Sequence, residues 1–464
     1  MLPDLALLEI FDFYVAKIPG ISAWHTLVHV CRKWRNIVFG CPRRLNLHLL
    51  CHPRTPVRKT LDVWPVLPIH IMDYMTKTWV DAGDIVAALE HNNRIVEVSL
   101  VASTNFSSSQ LEEVLVAMQQ PFPALTLLQL QITPETTSVI PASLLGGSAP
   151  DLQVLHLRHF PFPGLPKLIS SATRLVRLDL WDIPHSGYIS PETMITCLPV
   201  LTRLEGLRIG FNSPRSSPDL KSRRPPPPTR TLLPVLTKLE FNGVAEYLEN
   251  LVARIDAPLL DKLEITFFHQ LIFDTPRLTQ FITRTPIFKN HDHEIKANVV
   301  IFSKIVSFSL GYCPKSNSFP QMNLRLEISC CRLDWQLSCI AQVCNSSIPQ
   351  SLISAVKHLY ILDYWNGYLG SQVCQDDIEN SQWLELFHPF TGVKDLYLSS
   401  FFASCIAAAL RELVGERLTE VLPALHTVFL RGLLDGPVPE AIEQFVAARQ
   451  LAGYPTALSS WRIP

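Results

Sequence analysis

PDLQVLHL (150–157) decides how most of this chain folds. Leu152, Leu155 and Leu157 fall on a strand-like spacing, and period-2 alternation sends the last two to one face while Val154, His156 and Arg158 take the other. Pro150 stands just ahead, and the residue before a proline leaves the helical region, so a helix or irregular arm ends where a strand begins. The pattern recurs as PALTLLQL (123–130), PVLTKLEF (234–241), PLLDKLEI (258–265) and PALHTVFL (423–430), with TRLVRLDL (173–180) and PVLTRLEGLRI (199–209) as variants. First leucines at Leu125, Leu152, Leu175 and Leu201 are 27, 23 and 26 residues apart; Leu236, Leu260 and Leu278 follow at 24 and 18. Weaker copies lie at Ile95–Leu100, Ile305–Leu310, Val356–Ile361 and Val393–Leu398. One strand and one arm per repeat cannot bury an apolar face alone, so neighbours must stack into a parallel sheet.

Helix-like segments fill the intervals, for example Ile85–His91 and Gln110–Gln119. The residues alternating with the leucines are exposed: His156, Arg158, Arg177, Asp179, Trp181, Arg208, Lys238 and Glu240, then Lys262, Glu264, Asp395, Tyr397, Thr427 and Arg431. Mixed charge with two aromatics suits a protein-binding strip, and the first eight are the candidate substrate-binding residues, with Trp181 as the expected hot spot. SPRSSPDLKSRRPPPPTR (213–230) is too polar and proline-rich to pack and reads as a disordered insertion. The stretch 287–353 is irregular. Its Cys313, Cys330, Cys331, Cys339 and Cys344 lack paired C-x-x-C spacing, and His291-Asp292-His293-Glu294 reads as a solvated turn. VPEAIEQFVAARQL (438–451) has the period of a terminal helix, with Gly453 to end it.

Ahead of the repeats the period changes. LPDLALLEIFDFY (2–14) places Leu7, Leu8, Phe11 and Tyr14 on a helical stripe after Pro3 and Asp4, and Lys17-Ile18-Pro19-Gly20 breaks it. ISAWHTLVHVCRKWRNIVF (21–39) sets Trp24, Leu27, Val28, Cys31, Trp34 and Val38 on another face. Helices this short carry more large apolar residues than their own core hides, so a partner surface is expected. Between them and the repeats, PRTPVRKTLDVWPVLPIHI (53–71) is rich in Pro and β-branched residues, with Val63–Ile71 expected as an edge strand.

Two resemblances follow. The 20–29-residue strand-plus-arm period resembles leucine-rich repeats. L-P-x-x-x-L-x-x-I-F (2–11) followed by V-C-R-x-W-R (30–35) is similar to the F-box, the module that docks a substrate receptor onto the Skp-family adaptor of SCF-type ubiquitin ligases. The resemblance implies adaptor-binding roles for Leu2, Pro3, Leu7, Ile10, Phe11, Val30, Cys31, Trp34 and Ile37; Leu5 stands where the family carries an acidic residue. WHTLVHVCRKWRNIVF (24–39) with RTPVRKTLDVWPVLPI (54–69) looks like the large F-box families of mushroom-forming fungi. The expected architecture is α/β: an F-box at 1–50, a connector at 51–82, and a leucine-rich-repeat solenoid at 83–437 with its parallel sheet on the concave face. A capping helix and tail at 438–464 complete it. The implied function is a substrate receptor for an unknown protein, linked through the adaptor to a cullin scaffold. The alternative is a leucine-rich-repeat scaffold outside ubiquitination.

Composition limits the other classes. Hydrophobic residues at 47% supply ample core, while a formal charge of −1 gives no field for nucleic acid or an anionic membrane. FFASCIAAAL (401–410) is the nearest approach to a membrane span and stops at Arg411. Eleven cysteines without a secretory leader read as reduced thiols, hence a cytoplasmic or nuclear protein. No phosphate loop, dinucleotide fingerprint, H-E-x-x-H or G-x-S-x-G occurs, so a non-catalytic protein without cofactor or metal is expected.

Overall fold

Five repeats open on the same tight turn. The N–H of Leu125 donates to the carbonyl of Phe122, Leu152 to Ala149, Leu236 to Leu233, Leu260 to Ala257 and Leu425 to Leu422, at 3.0–3.4 Å. Each turn has its proline at the second position, where the fixed φ of proline suits a type I turn. The residue after each leucine then ties the repeat to its predecessor: Gln153 N–H donates to Thr126 O, Val176 to Gln153 O, Asp261 to Thr237 O and His426 to Lys394 O, at 2.8–2.9 Å. The P-x-L signature thus makes both the turn and the first rung of the sheet.

The computed structural model describes residues 2–17, 22–42, 45, 47, 49–51, 61, 66–72, 82–101, 107–133, 138–214, 230–270, 272–287, 294–312, 321–330, 332–363, 379–431 and 440–461. Two units divide the chain: residues 1–188 with 200–204, and 189–199 with 205–464.

The first unit begins with helices α1 (Asp4–Lys17), α2 (Ser22–Val30) and α3 (Arg32–Gly40). A wholly parallel sheet follows, in the order β1 (Leu49–Cys51), β2 (Ile69–Met72), β3 (Ile95–Val101), β4 (Leu127–Gln131), β5 (Val154–Arg158) and β6 (Arg177–Ile183). Helices α4 (Ala82–Leu89), α5 (Ser108–Ala117) and α6 (Leu165–Ser171) alternate with the strands. Leu128, Leu155 and Leu178 stand in register and are buried, as are Leu130, Leu157 and Leu180 one step on. Strand β2 falls where an edge strand was expected, but it is paired on both sides, with β1 and β3. Pro68 stays just outside it, offering its carbonyl to the N–H of Leu49.

In the second unit, helix α7 (Pro191–Cys197) precedes strands β7 (Gly206–Phe211), β9 (Lys238–Gly243) and β11 (Lys262–Phe268), which pair in parallel. A small parallel pair, β8 (Thr231–Leu232) with β10 (Ile255–Asp256), sits beside them. Helices α8 (Ala245–Val252) and α9 (Pro276–Arg284) occupy the arms. Leu278, expected to open a strand, lies inside α9. Pro276 is at its first turn, and the carboxylate of Glu249 accepts the N–H groups of Arg277 and Leu278 at 3.0 and 2.7 Å, capping a helix.

The parallel progression is then interrupted. β12 (Ile295–Ile301), β13 (Ile305–Tyr312) and β14 (Gln321–Ser329) form an antiparallel meander, with β14 beside β11 and β12 beside β15 (Val356–Asp363). The expected repeat strand at Ile305–Leu310 therefore exists but runs against its neighbours, so this sheet is not wholly parallel. Parallel pairing resumes through β16 (Asp395–Leu398), β17 (Thr427–Arg431) and β18 (Ala457–Trp461). Helices α10 (Leu333–Ser346), α11 (Gln350–Ser354), α12 (Asn380–Phe387), α13 (Ser400–Arg411) and α14 (Glu440–Leu451) lie in the arms. Gly453, with φ at +85°, ends α14, and the expected tail adds a further strand, β18, to the sheet. Most of the connector, residues 215–229 of the expected insertion, His291–His293, Cys313 and Cys331 lie outside the described residues.

Candidate functional site

The helical module builds an interior and an exterior from one stretch of apolar sequence. Phe11 is 0% exposed, and Leu7, Leu8, Trp24, Leu27, Val28 and Val38 are buried with it. The Phe11 and Trp34 rings meet at 4.8 Å, and Trp24 meets Phe39 edge-on at 6.0 Å. Cys31 caps α3, its sulfur accepting the Trp34 N–H at 3.4 Å, and Arg35 Nε donates to Val28 O at 3.0 Å, locking α2 to α3. Lys33 ties α1 down through an ion pair with Asp4 at 2.9 Å.

The expected adaptor-binding residues divide between the module's core and its surface. Leu7 and Phe11 are core residues, because their stripe is the one that α2 and α3 cover. Trp34 and Ile37 are half-buried, whereas Leu2, Pro3, Ile10, Val30 and Cys31 are exposed. Leu5, noted from sequence as a departure from the family's acidic residue, is 72% exposed, and Phe13, not singled out, is exposed as well. At 3.6 residues per turn, Leu5, Ile10 and Phe13 span about 140° of α1, opposite Leu7, Leu8 and Phe11. Helix α1 is thus apolar on two faces, only one of which its own module fills.

On the strand face of the same unit, the candidate substrate residues come together in pairs. His156 lies opposite Asp179, with Nδ1 2.7 Å from the carboxylate, and Arg158 lies opposite Trp181. Arg158 Nε donates to Asp182 Oδ2 at 2.7 Å, and His159 Nε2 approaches the same oxygen at 3.6 Å. Asp182 and His159 were not singled out from sequence. They occupy adjacent repeats at one level, and both take positive φ, +52° and +66°, where the strands end. Burial lowers the His159 pKa, Asp182 opposes this and Arg158 adds to it. Arg177 is exposed and Trp181 half-buried.

In the second unit the expected charges are matched within the sheet. Arg208 Nε lies 2.8 Å from Glu240, which also receives Lys238, and Lys262 pairs with Glu264. Further along, the outward residues change character. Tyr360, Tyr397 and Phe429 stand at one level on β15, β16 and β17, their rings stacked at 4.1 and 4.5 Å with interplanar angles of 9° and 5°. Only Tyr397 was singled out from sequence. The signal for the other two is an aromatic at one repeat position in KHLYIL (357–362), KDLYL (394–398) and HTVFL (426–430).

Among the described residues, Cys330, Cys339 and Cys344 are buried free thiols; burial pushes Cys339 up to about 12 and Cys344 higher still. No group of three or more His, Cys, Asp or Glu side chains among the described residues is placed to hold a metal ion.

No family model matches this sequence, and no curated protein matches it. Among solved structures, the chain is similar to the leucine-rich repeat-containing protein LegL7 from Legionella pneumophila, at 13% identity and a TM-score of 0.26, covering 88% of this chain and 97% of that one. It is also similar to a chain of the yeast Rad7 and Elc1 complex, at 14% identity and a TM-score of 0.29, covering 92% of this chain and 88% of that one.

Proposed function

We propose that the chain is the target-recognition subunit of an SCF-type ubiquitin ligase. Its helical module docks on a Skp-family adaptor, and through it a cullin, while the repeats hold a target protein. The observation that carries this reading is the second apolar face of α1, with Leu5 at 72% and Ile10 at 50% exposed on the side opposite the module's own core. Leu2 and Val30 add to it. Exposed apolar groups flanked by Asp4 and Lys33, with Glu9 among them, suit a protein partner. Target contacts fall to outward strand residues, His156, Arg158, Arg177, Asp179 and Trp181 in one unit and Arg208, Lys238 and Glu240 in the other. The proposal assigns the chain no chemistry of its own and a cytoplasmic or nuclear setting.

Co-precipitation with a Skp-family adaptor tests the reading. The full chain should retain the adaptor, and the double variant Leu5→Ser with Ile10→Ser should lose it while keeping its helical circular-dichroism signal. Capture by the double variant at full strength, or no capture by the unmodified chain, overturns it in favour of a repeat scaffold. Leu7 and Phe11 are unsuitable for this test, since truncating buried apolar residues unfolds the module instead.

A further inference from the structure

We propose that the outward sheet face from Lys296 to Trp461 docks an acidic, extended peptide segment of a partner protein, on an edge-on ladder formed by Tyr360, Tyr397 and Phe429. The proposal rests on the reading of outward strand residues as a target surface, and not on adaptor docking.

The ladder follows from register. Asn298, Tyr360, Tyr397 and Phe429 stand at one level across four parallel strands, between inward residues that are fully buried, such as Leu359, Leu396 and Val428. Alternation points the rings outward. Neighbouring rings cover one another's faces along the sheet, so the solvent side presents ring edges. Trp461 folds back from β18 and meets Tyr397 at 5.5 Å and Tyr360 at 5.9 Å, nearly perpendicular to both. Its indole N–H donates to Leu398 O at 3.4 Å, which fixes the ring beside the ladder. All four aromatics remain half-exposed.

The charge around the ladder selects the partner. Ring edges carry the positive end of the aromatic quadrupole. Burial, followed by Tyr360 and Asp395, pushes the Tyr397 hydroxyl well above its usual range, so it stays a protonated O–H. Lys296 Nζ lies 5.7 Å from the Tyr360 ring centre. The two carboxylates at this edge are engaged by one imidazole: His358 Nε2 is 2.9 Å from Glu294 and Nδ1 is 2.9 Å from Asp395. Lys357 and Lys394 act on Glu294 as well, reinforcing the His358 hydrogen bond that holds its carboxyl below the usual range. Arg431 is exposed opposite Trp461. Lys296, Lys357, Lys394 and Arg431 outnumber Glu294 and Asp395 at this edge, so with its cations and ring edges this face complements carboxylates, while the half-buried Trp461 takes an intervening aliphatic group. Stacking partners such as unpaired nucleobases need open ring faces, and stacking covers both faces of Tyr397 and one face each of Tyr360 and Phe429.

The probe is a short labelled peptide alternating Asp and Leu, with its Asn-for-Asp counterpart as control, titrated against the full chain. The acidic peptide should bind, added salt should weaken it, and the control should not bind. Lys296→Glu should weaken binding about tenfold or more, and Tyr397→Leu should do the same with melting temperature recorded alongside. Equal binding of the control, full binding by Lys296→Glu, or displacement of the peptide by an oligothymidylate strand overturns the proposal. Because Lys296 is a surface residue, its variant tests the idea even if Tyr397→Leu fails to fold. The Leu5→Ser/Ile10→Ser chain should still bind the peptide, so a failed adaptor assay and a failed peptide assay are read separately.

Discussion

The strands of the two units share an inward pattern and differ in their outward one. In the first unit Leu128, Leu155 and Leu178 fill the interior level; in the second Leu359, Leu396 and Val428 do the same. Outside, the first unit pairs His156 with Asp179 and Arg158 with Asp182, whereas the second, beyond its own pairs such as Arg208 with Glu240, stacks Tyr360, Tyr397 and Phe429. Half-exposed ion pairs contribute about 0–1 kcal/mol each. Aromatic pairs add about 0.5–1.5 kcal/mol beyond the area they bury. The repeat therefore dictates only the inward column, and the outward column varies without disturbing the stack. That freedom is what lets one scaffold carry surfaces of different chemistry.

The largest expected effect lies where the second unit departs from apolar packing altogether. Arg449 on α14 is 1% exposed, and its guanidinium donates to the carbonyls of Leu418, Pro423 and Leu425 and to Thr456 Oγ1, at 2.8–3.3 Å. Phe445 and Tyr454 face it at 5.7 and 5.4 Å. A single cation closes backbone acceptors that the segment 418–425 ahead of β17 leaves open. Arg449→Met should orphan those three carbonyls, at about 1–3 kcal/mol for each acceptor left unsatisfied, read as a lower urea midpoint. A loss below about 1 kcal/mol would show that water enters and replaces the guanidinium.

Next in size are the inward leucines. Leu155→Ala and Leu396→Ala should each cost about 2–5 kcal/mol, and by similar amounts, because both sites are fully buried in equivalent levels. A marked inequality in urea midpoints would break the claim that the two inward columns are equivalent. Smaller again is Asp182→Asn, which removes one half-buried charge at a site where Asn tolerates the positive φ. It should lower stability by no more than about 1 kcal/mol.

How much of this was legible follows from what each sequence signal encodes. P-x-L located Leu125, Leu152, Leu236, Leu260 and Leu425 because proline, turn and first rung are one device. The same three letters in Pro276-Arg277-Leu278 misled, since proline also suits the first turn of a helix, and the deciding partner, Glu249, is 29 residues from Leu278. Alternation identified β13 as a strand but is blind to direction, so its antiparallel course was invisible. At the helical module the apolar pattern named the right residues without saying which face is buried. Leu7 and Phe11 look like anchors, but α2 and α3 cover them; Leu5 stood out only as a departure from an acidic position and Phe13 not at all, yet both are exposed. The aromatic ladder was missed because it exists only across repeats.

The smallest expected effect separates the two outward faces by pH. His159 in the first unit has its pKa lowered below 6.5, chiefly by burial, with Asp182 opposing and Arg158 assisting. As pH falls through about 6.5 the unfolded chain takes up a proton that the folded chain resists. The unfolded state then binds more protons, so stability should fall with pH until the lowered folded pKa is passed, and level off below it. His159→Asn keeps a residue suited to φ of +66° and removes the titration. Urea midpoints recorded between about pH 7 and about pH 5 should therefore decline less steeply in His159→Asn than in the unmodified chain. Asp182→Asn should steepen the decline, because it deletes the one neighbour that favours the charged imidazole. Parallel slopes for all three proteins would remove His159 from the acid response of the first unit and leave its strand face without a pH-sensitive element at this position.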